Sequence, residues 1–153
     1  VPDKLIAKLE KEGKLVRQKS GFVQVEALLK EAIVDLSQAK KVISLADRAT
    51  YVLAYMAMLK AGRALLLAQG YRPIDGAQHK TVVEVTGVIL GEKYTGLTMQ
   101  FETMRRKRNV LTYEAGGLLS ASETKAAFED AVLLLKEVLR EVKAKNPQLD
   151  LEF

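Results

Sequence analysis

The chain has 153 residues, 48% of them hydrophobic and 28% charged, with a formal net charge of +5. That length and balance predict one soluble globular domain with a substantial core. With no cysteine, disulfides, thiolate metal sites and cysteine nucleophiles are excluded, and the single histidine, His79, disfavours a zinc site of usual composition.

A reducing, cytoplasmic setting fits this composition. The charge permits a nucleic acid or acidic partner without requiring one. No signal peptide is read at the start, where the chain runs into Asp3 and Lys4. The longest uncharged run, Ala49 to Leu59, is shorter than the roughly 20 apolar residues a bilayer needs, so no membrane association is expected.

In chain order, residues 2–12 predict a short helix. Pro2 stands in its first turn, Leu5, Ile6 and Leu9 form an apolar face, and Gly13 ends it. Over 21–44, Phe22, Val25, Leu29, Ala32, Leu36, Ala39 and Ile43 recur in steps of three and four, the pattern of a bundle seam. Ser44 to Asp47 reads as a short connection with Asp47 as N-cap. Residues 48–69 are apolar nearly all round, which suits the central helix of a bundle or a helix against a second subunit. Gly70 closes that helix and Tyr71–Gly76 reads as the main loop.

Residues 77–90 are rich in β-branched side chains. No partner strand is read anywhere in the chain, and a lone strand cannot satisfy its backbone, so helix is the expectation, ending near Gly91. A further helix is expected from Gly96 to Tyr113. Ser120 and Glu123 fit a capping box that opens a last helix, with Phe128, Val132, Leu135, Leu139 and Val142 on one face and Asn146-Pro147 as its stop. The remaining residues read as a tail. The sum is an all-α, up-and-down bundle of four main helices with short accessory helices, in a single domain over 1–153 with its core at about 20–145.

Several chemistries can be struck out. Gly91 and Gly96 have phosphate-loop spacing, but Leu97 stands where the lysine belongs. No GxSxG elbow, HExxH or Glu-x-x-His pair occurs. His79, after a turn and near a helix start, is expected as a surface or capping residue and is the weaker site candidate.

The block Met104-Arg105-Arg106-Lys107-Arg108-Asn109-Val110-Leu111-Thr112-Tyr113 survives. Leu97, Phe101, Met104 and Leu111 mark an apolar stripe, and Arg108 falls on it, where a charge is costly unless it is paired or lines a cleft. Arg105, Arg108, Asn109 and Thr112 share a helical face, with Tyr113 round the cylinder. Such arginines can fork onto phosphate, asparagine can reach a base or sugar, and tyrosine can stack. The alternative is an arginine face bridged to Glu102, Glu114 or a neighbouring helix.

These residues resemble the signature of the HEPN superfamily of prokaryotic helical domains. There an arginine, usually followed by a polar residue, precedes a histidine by four to six positions. Arg48 to Tyr55 running into Ala61 to Leu66 resembles the family's buried second main helix, and Gly70-Tyr71-Arg72-Pro73 with Gln78-His79-Lys80 resembles its next turn and helix start. The resemblance implies a four-to-five-helix bundle, usually a homodimer, with the arginine and histidine of both subunits lining a cleft that cleaves RNA without metal. It also implies toxin members partnered with a nucleotidyltransferase-type antitoxin, and non-catalytic nucleotide- or RNA-binding modules. Arg108 and Asn109 match the signature, but position 113 is Tyr, a poor base at neutral pH with its ordinary pKa near ~10.

The expectation is therefore a nucleotide- or RNA-binding homodimer with little or no RNase activity, using Arg105, Arg108, Asn109, Thr112 and Tyr113 and no cofactor. The alternatives are a protein-interaction module with structural arginines, or a metal-independent RNase in which Tyr113, Glu114 or His79 supplies the acid–base group.

Overall fold

The computed structural model describes residues 3–19, 21–74, 76 and 78–153. Pro2, Asp75 and Ala77, which figure in the expected first turn, loop and helix start, lie outside the described residues. Among the described residues, six helices and one two-stranded ribbon make up the fold. In order they are α1 (Lys4–Lys11), β1 (Leu15–Arg17), α2 (Phe22–Val42), α3 (Asp47–Ala68), β2 (Tyr71–Pro73), α4 (Gln78–Leu90), a 3-10 turn (Glu92–Tyr94), α5 (Thr95–Tyr113) and α6 (Ala121–Lys145). The chain is all-α apart from the ribbon.

The ends of the helices follow local chemistry. Asp3 accepts the amide of Leu5 at 2.6 Å and caps α1. Ser120 and Glu123 form the reciprocal capping box of α6. Gly70 and Gly91 close α3 and α4 with positive φ, a region in which a Cβ is strained. The start of α3 differs from expectation by one position. Ala46 is the N-cap and Asp47 the first helical residue, where its charge still faces the positive helix end; the Thr50 hydroxyl donates to the Ala46 carbonyl at 2.8 Å.

α3 is the axis. α2, α4, α5 and α6 all pack on it, α4 also meets α5, and α6 meets both α2 and α5. The expected seam of α2 is the buried one: Val25, Leu29, Ala32, Leu36 and Ala39 are at most 3% exposed. Small residues along α3 let its neighbours approach, most closely at Gly62, where an added Cβ would lie 2.8 Å from both Thr86 Oγ1 and Val82 Cγ1. That approach explains why the β-branched stretch is helical. Thr81, Val82, Val83, Val85 and Thr86 are buried, and α4 packs on α3, so tertiary burial outweighs β-propensity.

By length and composition α3 could cross a membrane, since beyond Leu59 only Lys60 and Arg63 interrupt it. Its most apolar stretch is 61% buried inside the protein, as in a bundle's core helix. Lys60 leaves the core by bridging to Asp35 at 2.8 Å and Glu31 at 3.5 Å.

Three expectations are corrected. Part of the expected loop, Tyr71–Pro73, is a strand that pairs antiparallel with Leu15–Arg17, so partner strands do exist; at three residues each they are too short to show an alternating pattern. The core face of α6 runs through Ala127, Ala131, Leu134 and Val138 as well as Leu135, Leu139 and Val142, while Phe128 and Val132 sit half-buried at its margin. The alanines let α6 close on α3 and push the larger side chains to the edge. The segment after Pro147 is not a free tail: Leu149 is 2% exposed, and Leu151 and Phe153 pack on the core. Leu149→Ala is therefore expected to lower stability by about 2–3 kcal/mol, read as a fall in the urea midpoint at constant slope. An unchanged midpoint would mean that this segment contributes nothing to the core.

Candidate functional site

Where the first turn of α4 meets the second half of α5, the surface sinks into a cavity of about 450 Å³. α3 contributes Arg63. The loop and the start of α4 contribute Gly76, Gln78, His79 and Lys80. α5 contributes Arg105, Arg108, Asn109 and Tyr113. The apolar stripe of α5 fixes this arrangement. Phe101 and Met104 are fully buried and Leu111 nearly so, and that orientation turns the intervening Arg108 into the cavity.

The basic block divides by direction. Arg105 holds Glu102 bidentately, Nε to Oε1 at 2.6 Å and Nη2 to Oε2 at 3.0 Å, and Arg106 Nε reaches the same carboxylate at 3.1 Å. The Arg105 hydrogen bond is the largest influence on Glu102. Together with the charges of Arg105 and Arg106, it outweighs burial and holds the carboxyl below its usual range. Lys107 turns to Glu123 of α6 at 3.4 Å. Arg108 has no carboxylate partner among the described residues. Its Nη1 makes a long contact of 3.4 Å with Asn109 Oδ1, and its Nε is buried without a hydrogen-bond partner. The bridged alternative thus holds for Arg105 and Arg106, not for Arg108.

Arg63 repeats this situation from α3. Its Nη2 donates to Gln78 Oε1 at 3.3 Å, its Nε is buried and unpartnered, and no described carboxylate bridges it. The sequence reading missed Arg63, although a cation beyond Lys60 in the apolar second half of α3 was a signal. The cavity therefore holds two guanidinium groups that no described carboxylate neutralises, beside the N-terminus of a helix whose dipole favours negative charge.

His79 departs from its expected place. It is neither free at the surface nor a cap. It lies half-buried in the cavity wall with Nδ1 3.0 Å from the Tyr55 hydroxyl. Tyr55 is itself fully buried, and burial pushes its pKa up to about 12. Burial first, then the charges of Arg108, Arg63 and Arg105, lower the pKa of His79, so the ring is neutral at neutral pH. Its Nε2 is the ring nitrogen that Tyr55 does not engage.

Of the other expected residues, Arg105, Asn109 and Tyr113 line the cavity, Tyr113 at the rim with 76% of its surface exposed; Thr112 is exposed and does not. Chemically the site offers guanidinium forks for an oxyanion, an imidazole nitrogen, an amide and an open aromatic face. Comparison of the chain with protein-family models and with curated proteins gives no match.

Proposed function

We propose that this chain is a HEPN-like domain that binds a nucleotide or RNA in the cavity between α3, α4 and α5, with little or no ribonuclease activity. In this reading α2, α3, α5 and α6 are the four main helices of an up-and-down bundle. The domain acts as a cytoplasmic homodimer in a toxin–antitoxin-type system, beside a nucleotidyltransferase-type partner. The observation that carries the binding proposal is the pair Arg63 and Arg108, two half-buried guanidinium groups with only amide partners among the described residues, facing one cavity. A buried cation without a counter-charge is costly, and a phosphate would relieve that cost. Tyr113, open at the rim, is suited to stack on a base.

Isothermal titration at low ionic strength tests this. Binding of AMP and of a mixed RNA pool is expected, weakening as salt rises, and Arg63→Ala is expected to lose tenfold or more in affinity with an unchanged circular dichroism spectrum. Absence of binding at low salt would sink the proposal.

The position of His79 supports a second reading, metal-independent RNA cleavage with His79 in the acid–base role. RNA recovered intact after incubation with EDTA keeps to the first reading; fragments favour the second.

A further inference from the structure

We infer that the cavity selects a terminal phosphate, a dianionic monoester, over an internal phosphodiester, and that His79 makes the selection by taking up a proton as the dianion enters. The inference rests on the reading of the cavity as a phosphate site.

The first argument is charge. Glu102 answers Arg105, whereas among the described residues Arg63 and Arg108 are answered only by amides, and the exposed Lys80 adds to the same wall. A diester brings one negative charge to this excess. A monoester brings close to two at neutral pH, its second pKa lying near ~6.

The second argument is the partner of His79. A tyrosine hydroxyl both donates and accepts. With a neutral ring, the Tyr55 hydroxyl donates to Nδ1; with an imidazolium ring, Nδ1–H donates to the same oxygen. One heavy-atom geometry, 3.0 Å long, thus serves both protonation states without rearrangement. A carboxylate in that place would hold the ring charged and remove any response. Tyr55, kept protonated by burial, does not itself ionise in this range.

The third argument is the sign of the field. Arg63 of α3 and Arg105 and Arg108 of α5 act on the ring, with Glu102 held behind Arg105 and Lys80 next along α4. From α1, β2 and the 3-10 turn, which also pack on α4, no charged side chain lines the cavity among the described residues. In the empty cavity this field and burial keep the ring neutral. A dianion reverses the field, so the proton binds more readily, and by linkage the anion binds more tightly as pH falls towards the ordinary range of histidine. A monoanionic diester reverses the field less.

The chain has one histidine, so its ring-proton NMR signal identifies itself. The experiment titrates that signal in the wild-type protein alone, with AMP, and with adenosine 5′-methylphosphate, and measures both affinities between about pH 6.5 and 8.5, where AMP stays mostly dianionic. With AMP the histidine midpoint is expected to rise by about a full pH unit, and AMP affinity to fall by about twofold to fivefold across the range. With the methyl ester both changes are much smaller, and His79→Gln makes the AMP profile flat. A 5′-phosphorylated oligoribonucleotide that reproduces the AMP result, when its 5′-hydroxyl counterpart does not, identifies an RNA end as a source of the same group; AMP alone doing so identifies a free nucleotide. Equal affinities for AMP and its methyl ester with an unmoved histidine signal overturn the inference and leave the phosphate site standing. No binding of either at low salt overturns both.

Discussion

Arg108→Leu is expected to give a protein that melts higher and binds anions at least tenfold more weakly. Position 108 continues the stripe of Phe101, Met104 and Leu111 to the wall of the cavity. The native side chain keeps a buried, unpartnered Nε and has no carboxylate among the described residues. An unmet buried donor costs about 1–3 kcal/mol, and its removal is expected to return at least about 1 kcal/mol, or roughly 2–4 °C in Tm for a domain of this size. The same change removes a charge-assisted contact worth about 1.5–3 kcal/mol to a bound phosphate, which is tenfold or more in Kd. Differential scanning calorimetry and titration with AMP read the two effects separately. A variant that melts lower while binding AMP undiminished would show that Arg108 serves the fold and not a ligand.

This opposition between stability and occupancy was partly legible in the sequence. A charge on an apolar stripe is visible from spacing alone, and so are the glycines that end helices and the Ser120–Glu123 box. The ribbon was not, because two strands of three residues carry no period. Nor was the partnership of His79 with Tyr55, which lie 24 residues apart and meet only because α4 packs on α3. Arg63 was hidden for the opposite reason: the strong apolar signal around it identified a core helix and drew attention from its one cation aimed at a cavity. For residues 81–86 local propensity pointed to strand, and the absence of an evident partner strand pointed correctly to helix. That inference reached the right element although two short strands exist elsewhere.

Gly62→Ala carries the second large effect. Its new methyl would stand 2.8 Å from both Thr86 Oγ1 and Val82 Cγ1 of α4, well inside contact distance, so α3 and α4 must separate or their side chains must leave their rotamers. Such overpacking costs about 1–3 kcal/mol and outweighs the roughly 1 kcal/mol by which alanine exceeds glycine in helix propensity. Gly87 supplies the contrast. Its added Cβ would meet Thr98 at 3.6 Å, an ordinary contact, so Gly87→Ala is expected to be neutral or stabilising. Because Arg63 follows Gly62 and His79 leads α4, the Gly62 change also widens the cavity and weakens AMP binding, whereas the Gly87 change does neither. Equal melting temperatures for the two variants would refute the close helix approach.

The ribbon bears on the order in which the molecule assembles. α2 and α3 are joined by a short turn and can zip together early. β1 and β2 must find each other across the intervening chain, with Arg72 reaching Gln18 over a separation of 54 residues. Ring closure of that length carries an entropic toll before any contact rewards it, so pairings of this kind come late in a folding trajectory. Between β2 and α4 lies Gly76, and α4 opens with Gln78 and His79. The arginine wall on α3 and α5 is thus set by the early helical nucleus, and the imidazole side of the cavity arrives with the final strand pairing.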